Sequence, residues 1–103
     1  MDSIDLVKTF LKGQNLEHLD RIDEAIDLYE TLVAEGFDAV GPYDRLISLY
    51  STRARHQDVV RVATSAMSNV HTYDEKLKWY GEMRAAAEKA ATKVPAAAPK
   101  KRG

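Results

Sequence analysis

The sequence predicts an all-α fold, a helix-turn-helix repeat array of two antiparallel helix pairs and a C-terminal capping helix. The segment around Ala25 and Tyr29 returns in altered form around Val59 and Ala63, which is a spacing of 34 residues. A period of this length is typical of stacked helix hairpins. Apolar residues also recur at helical spacing, and the 103 residues include only five Gly and three Pro. Little in the chain therefore interrupts helix formation.

The first predicted helix carries a short apolar stripe, and we expect it to continue to about Leu19. Its members are Ile4, Val7, Phe10 and Leu11. The second helix has the most regular stripe in the chain, at i, i+3, i+4 and i+7. That stripe consists of Ile22, Ala25, Ile26, Leu28, Tyr29, Leu32 and Val33. Asp20 is its candidate N-cap, and Gly36 stands where a C-terminal cap belongs.

Residues 37–41 read as a linker, and Pro42 suits the first position of a third helix. The stripe of that helix is Tyr43, Leu46, Ile47 and Tyr50. A turn over residues 52–56 leads into a fourth helix, which is rich in β-branched residues but keeps helical spacing for more than ten positions. Its apolar residues are Val59, Val60, Val62, Ala63, Ala66, Met67 and Val70.

Thr72 and Glu75 form a capping-box pattern that opens a fifth helix. Its apolar positions are Leu77, Tyr80, Met83 and Ala87, and it runs toward Ala91. Beyond it the chain has no large apolar residue that could pack, and Pro95 and Pro99 interrupt it. We therefore expect a helical domain over residues 1–93 and a disordered basic tail over residues 94–103.

The formal net charge of −1 hides an uneven distribution. Residues 1–40 hold ten acids and three bases, a balance of −7, and residues 41–103 hold twelve bases and six acids, a balance of +6. Opposite fields of this kind can orient a charged partner, or pair the acidic half of one copy with the basic half of another. A homo-oligomer assembled in this way is one alternative. The other is that both signs simply solvate helix faces.

Composition also limits the setting of the protein. There is no Cys, so neither disulfides nor thiolate metal sites can form. The acidic N terminus is unlike a secretory signal, and no window approaches the roughly 18 apolar residues that cross a bilayer. These features predict a cytoplasmic protein without a membrane partner.

The residues quoted above resemble those of the tetratricopeptide repeat (TPR) family over about residues 4–91. Residues 20–29 are similar to the turn and second helix of such a repeat, with a small residue at Ala25 and an aromatic one at Tyr29. Further positions agree with the family pattern in the first helix, the second copy and the last helix. They are Gly13, Leu16, Tyr43, Leu46, Tyr50, Ala66, Leu77 and Gly81.

The resemblance implies that the first helix of each pair and the capping helix line a concave face that binds a peptide or partner helix without catalysis. The residues that it places there are Val7, Phe10, Gln14, Glu17, Asp44, Ser48, Ser51, Glu75, Lys78 and Glu82. Val7 and Phe10 would be apolar anchors, or would instead face the core. Trp79 would anchor a partner at the edge of the array, or would cover the end of the core.

Catalytic, cofactor and metal sites are not indicated. His18, His56 and His71 have no second ligand at a metal-binding spacing, and no phosphate-binding glycine loop or nucleophile triad is present. We therefore expect no enzyme activity, no cofactor and no metal.

Nucleic acid is the third class of partner to weigh. The segment 43–47 with Tyr50 is also similar to the start of a pentatricopeptide repeat, whose members read single-stranded RNA. Basic residues cluster at one turn and in the tail: Arg53, Arg55, His56, Arg61, Lys100, Lys101 and Arg102. Without an aromatic platform they would give only weak, salt-sensitive binding. We therefore do not expect a nucleic-acid partner.

Overall fold

The structure, a computed structural model, describes residues 1–71 and 74–97. Within them the chain forms five helices: α1 (Ser3–His18), α2 (Ile22–Ala34), α3 (Val40–Thr52), α4 (His56–Asn69) and α5 (Asp74–Ala97). The predicted all-α class is confirmed, and so are the five helices. No helix in the described part of the chain is long and apolar enough to cross a membrane.

The α1–α2 and α3–α4 turns are the same structure 34 residues apart. In the first, the Arg21 amide donates to the Leu16 carbonyl at 2.8 Å, and in the second the Arg55 amide donates to the Tyr50 carbonyl at 2.9 Å. Both helices thus end in a Schellman motif, whose left-handed residue is Asp20 (φ 59°) in one and the residue 34 positions later in the other.

The predicted N-cap role of Asp20 is therefore wrong. Asp20 belongs to the end of α1, and Arg21 occupies the N-cap of α2 without a side-chain hydrogen bond. The Schellman bonds close the turn in place of a side-chain cap. At the end of α2 the prediction is confirmed, because Gly36 has φ 71° and the Phe37 amide donates to the Leu32 carbonyl at 3.1 Å.

Two helix boundaries differ from the prediction. α3 begins at Val40, so Pro42 is its third residue rather than its first. Proline is tolerated there because the first four amides of a helix have no intrahelical acceptor. α5 extends to Ala97, four residues into the predicted tail. The remaining tail residues 98–103 and Thr72 of the capping-box pattern lie outside the described residues.

The helices form two layers around one core. Each helix packs against the next, and α2 also contacts α4 while α3 contacts α5. α1 and α3 lie side by side, because the Phe10 ring covers Gly41. The first layer is therefore α1, α3 and α5, and the second is α2 and α4. Between them lie fully buried side chains that include Tyr29, Tyr43 and Tyr80.

The close approach of α1 to α2 depends on a glycine. A Cβ atom added to Gly13 would lie 2.6 Å from Cε1 of Tyr29, well inside normal contact distance. The Tyr29 ring thus lies directly on the backbone of α1. A small residue at this position lets the two helices pack closely while the aromatic ring fills the space beside it.

Candidate functional site

An open groove lies between α1 and α3 in the first layer. Its lining residues are Gln14, Glu17, His18 and Arg45, and its volume is about 320 Å³. We call this cavity the α1–α3 groove. Gln14 and Glu17 were predicted for the concave face from the sequence. His18 and Arg45 were not, because their place in the groove depends on how α1 and α3 lie together.

Glu17 is fixed by two neighbouring helices. Its carboxylate accepts a hydrogen bond from the Tyr29 hydroxyl at 2.6 Å, and two from Arg45, at 3.0 Å from Nε and 2.6 Å from Nη2. The hydrogen bond from Arg45 lowers the pKa of Glu17, against the opposing effect of burial. Glu17 therefore remains charged at neutral pH, and it joins α1, α2 and α3.

The same arrangement of a carboxylate, a tyrosine hydroxyl and a cation occurs twice more, and we call each one a clasp. In α2, Glu30 accepts from the Tyr50 hydroxyl and from two nitrogens of Arg61, at 2.9 and 2.6 Å. Burial, with the Glu30 hydrogen bond, raises the pKa of Tyr50 to about 12. This clasp joins α2, α3 and α4.

Asp44, another residue predicted for the concave face, forms the third clasp. It accepts from the Tyr80 hydroxyl at 2.7 Å and from the Lys76 ammonium at 2.8 Å, both on α5. Burial, with this carboxylate, raises the pKa of Tyr80. The clasps hold adjacent helices in one arrangement, so the first layer presents a preorganised surface.

The two predicted apolar anchors lie in different places. Phe10 is half-buried, with its ring centroid 5.8 Å from that of Tyr29 and its edge on Gly41. Val7 is 48% exposed and lies beside Ile4 on the outer side of α1. They therefore do not form one joint anchor, and a binding role for either stays a prediction.

Trp79 lies against the end of the core. It is half-buried, its ring centroid is 5.4 Å from that of Tyr80, and the Lys76 ammonium lies 4.1 Å from its centroid. Both neighbours cover part of the indole, which agrees with the covering alternative. Its use as an edge anchor stays a prediction.

The remaining residues predicted for the concave face are all exposed: Ser48, Ser51, Glu75, Lys78 and Glu82. Ser51 also lines a smaller cavity of about 220 Å³ between the α3–α4 turn and α5. The other lining residues of this cavity are His56, Val59, Met83, Ala86, Ala87 and Ala90. The sequence pattern contained no signal for it, since it depends on how α5 crosses the turn.

The basic residues at the α3–α4 turn are paired with acids. Arg53 lies 2.7 Å from Asp23, and Arg55 lies 2.6 Å from Asp58. Arg61 contacts both Glu30 and Asp58. The basic tail residues Lys100, Lys101 and Arg102 lie outside the described part of the chain. In the described part, no three His, Asp or Glu side chains come together to hold a metal ion.

No protein-family model, curated protein or solved structure matches this chain. The geometry of the described residues, with the resemblance of the sequence to TPR proteins, is therefore the basis for a function.

Proposed function

We propose that this chain is a noncatalytic protein-binding module with a TPR-like array, and that it holds a peptide or partner helix on its first layer. The observation that carries the proposal is the open α1–α3 groove in a layer whose helices are clasped together. Exposed side chains of α3 and α5 continue the same layer beyond the groove. The turns that repeat at 34 residues support the TPR-like arrangement.

Binding would rely on preorganisation. The clasps already fix Glu17 and Arg45, so a partner loses its own freedom on binding while the groove orders little. Arg45 uses Nε and Nη2 for Glu17 and has a third nitrogen, Nη1, available to a partner within the described structure. Gln14 and His18 add hydrogen-bonding groups beside it. The uneven charge of the two halves would orient an incoming charged segment.

The test is a comparison of two matched variants. Gln14→Arg fills the groove with a larger charged side chain, and Gln57→Arg makes the same change at an exposed position of α4, in the other layer. Each full-length chain is used for affinity purification from its native cells, with circular dichroism as the check on folding. We expect proteins that the unchanged chain and Gln57→Arg retain and that Gln14→Arg loses. Identical sets from both variants would refute the groove.

The alternatives gain less support from the described residues. Ion pairs of Arg45, Arg53 and Arg61 with acids of residues 1–40 lie within one chain, so part of the charge difference between the halves is neutralised internally. Self-assembly through charge would show as a mass that falls at high salt in size-exclusion chromatography. A nucleic-acid role would require binding of single-stranded RNA or duplex DNA at about 0.15 M salt. The cytoplasmic location stays a prediction.

A further inference from the structure

The outer side of α1 carries an apolar surface that the fold does not use. In the described part of the chain, the exposed large hydrophobic side chains all lie within the first 19 residues. Ile4 (65% exposed), Val7 (48%) and Leu11 (55%) follow one another at i, i+3 and i+7, so they share one helix face. We call these three residues the α1 stripe. The buried residues of α1, Gly13 and Leu16, point the other way, into the array.

Two lysines run beside the stripe. Lys8 and Lys12 are one helical turn apart and exposed, and neither forms an ion pair with any residue that the structure describes. Near the stripe they therefore keep an uncompensated positive charge. This differs from the four arginines of α3, α4 and their turn, which all pair with acids.

The 34-residue equivalence shows that this side of α1 is specialised. The positions in α3 that correspond to Lys8 and Lys12 are Pro42 and Leu46, and both are buried against neighbouring helices. Lysines at these places in α1 oppose a further apolar helix of the same kind, because each ammonium would lose its water. An occupant of this face must therefore bring carboxylates with its apolar residues.

We propose that the α1 stripe is a docking surface for an amphipathic helix of another protein, whose apolar side covers Ile4, Val7 and Leu11 and whose acidic edge faces Lys8 and Lys12. Charge complementarity selects this occupant. Three side chains about half exposed present on the order of 300 Å² of apolar surface, the size of the largest patch on many monomers. The inference does not depend on the α1–α3 groove.

A second copy of the chain fits this surface less well. Two-fold antiparallel pairing of α1 about Val7 would set the Lys8 side chains of the two copies against each other at the centre. Like charges that face each other are destabilising. The apolar area is also well below the roughly 800 Å² per partner of a standard stable interface.

The test uses two synthetic helical peptides of the same length. Both carry leucines at i, i+3 and i+7. One has glutamates along the edge of the leucine stripe, and the other has lysines at the same places. Each is titrated into the full ¹⁵N-labelled chain at low salt, and the amide shifts are followed. We expect only the acidic peptide to bind, with the shifts concentrated in α1 around Val7 and Leu11.

Two double variants separate the proposed site from general electrostatics. Lys8→Glu with Lys12→Glu reverses both charges beside the stripe, and we expect the acidic peptide to bind about tenfold more weakly or worse, since each exposed pair contributes little alone. Lys89→Glu with Lys93→Glu is the matched control, because these lysines are also exposed and one turn apart, on α5. We expect that control to change binding less than about twofold.

Four results would overturn the proposal. One is no binding of the acidic peptide at millimolar concentration, and another is equal loss of binding in both double variants. A third is a dimer in sedimentation equilibrium that Val7→Gln dissociates, because the occupant would then be a second copy. The fourth is binding to vesicles of phosphatidylcholine and phosphatidylserine that Val7→Gln abolishes, which would make the stripe a membrane-surface helix.

Discussion

Gly13→Ala tests the close approach of α1 and α2 on which the first hairpin depends. In a free helix this change is stabilising by about 1 kcal/mol, because alanine is the better helix former. Here the new methyl group would lie 2.6 Å from Cε1 and 3.1 Å from Cδ1 and Cζ of Tyr29. An ordinary contact needs roughly 1 Å more, so the ring or the helix must move.

The Tyr29 ring has little room to move. It is fully buried, its hydroxyl donates to Glu17 at 2.6 Å, and Phe10 lies beside it. Overpacking in such a place costs about 1–3 kcal/mol. After the gain in helix propensity is subtracted, we expect Gly13→Ala to be destabilising by about 1–2 kcal/mol.

Gly81→Ala is the matched control. It is the same substitution inside α5, and its nearest neighbour would be Met67 Cε at 3.9 Å, an ordinary contact. We expect it to be stabilising by about 0.5–1 kcal/mol. Urea unfolding followed by circular dichroism gives both values. If Gly13→Ala were as stabilising as Gly81→Ala, the packing of α1 on α2 described above would be wrong. In a Tyr29→Leu background, Gly13→Ala should cost less, because the ring atoms are gone.

Three further results are expected. Ala54→Gly should be stabilising by about 0.5 kcal/mol, because alanine at φ 57° is strained, whereas Ala85→Gly on the exposed side of α5 should cost about 1 kcal/mol; urea unfolding measures both. Since the pKa of Tyr50 is raised from 10.0 to about 12, stability that is complete below pH 10 should fall as the pH rises toward 12, together with the appearance of tyrosinate absorbance. Arg45→Gln should raise the lowered pKa of Glu17 toward 4.5, so that the stability this carboxylate adds above that pH, and loses as the pH falls, becomes smaller; an NMR titration of Glu17 reports it.

Most of the secondary structure could be predicted because its signals are local. The stripe of α2 and the glycine at its end mark that helix without any tertiary information. The end of α1 was harder. Its left-handed residue is Asp20, and the equivalent residue at the end of α3 is Ala54, so no glycine marks either turn. Only the 34-residue comparison of the two turns relates them, and side-chain preferences at single positions do not.

The candidate site was predictable only in part. Phe10, Glu17 and Asp44 were placed on the concave face by the resemblance, and the structure shows each of them engaged with a neighbouring helix. An aromatic or charged residue on a helix surface has the same sequence pattern whether it contacts a partner or the next helix. Arg45 was missed for the same reason, because its role depends on Glu17, 28 residues earlier.

The clasps and the α1 stripe together limit how a tight partner can bind. The α1–α3 groove offers mainly hydrogen bonds, and a typical one contributes only about 0.5–1.5 kcal/mol net. Association costs an estimated 4–15 kcal/mol before any contact is gained. Groove contacts alone should therefore give weak binding. Apolar burial at Ile4, Val7 and Leu11, at about 25 cal/mol per Å², supplies what the groove lacks. A partner that binds tightly should accordingly contact both surfaces, and Leu11→Gln should then weaken it more than Gln14→Ala.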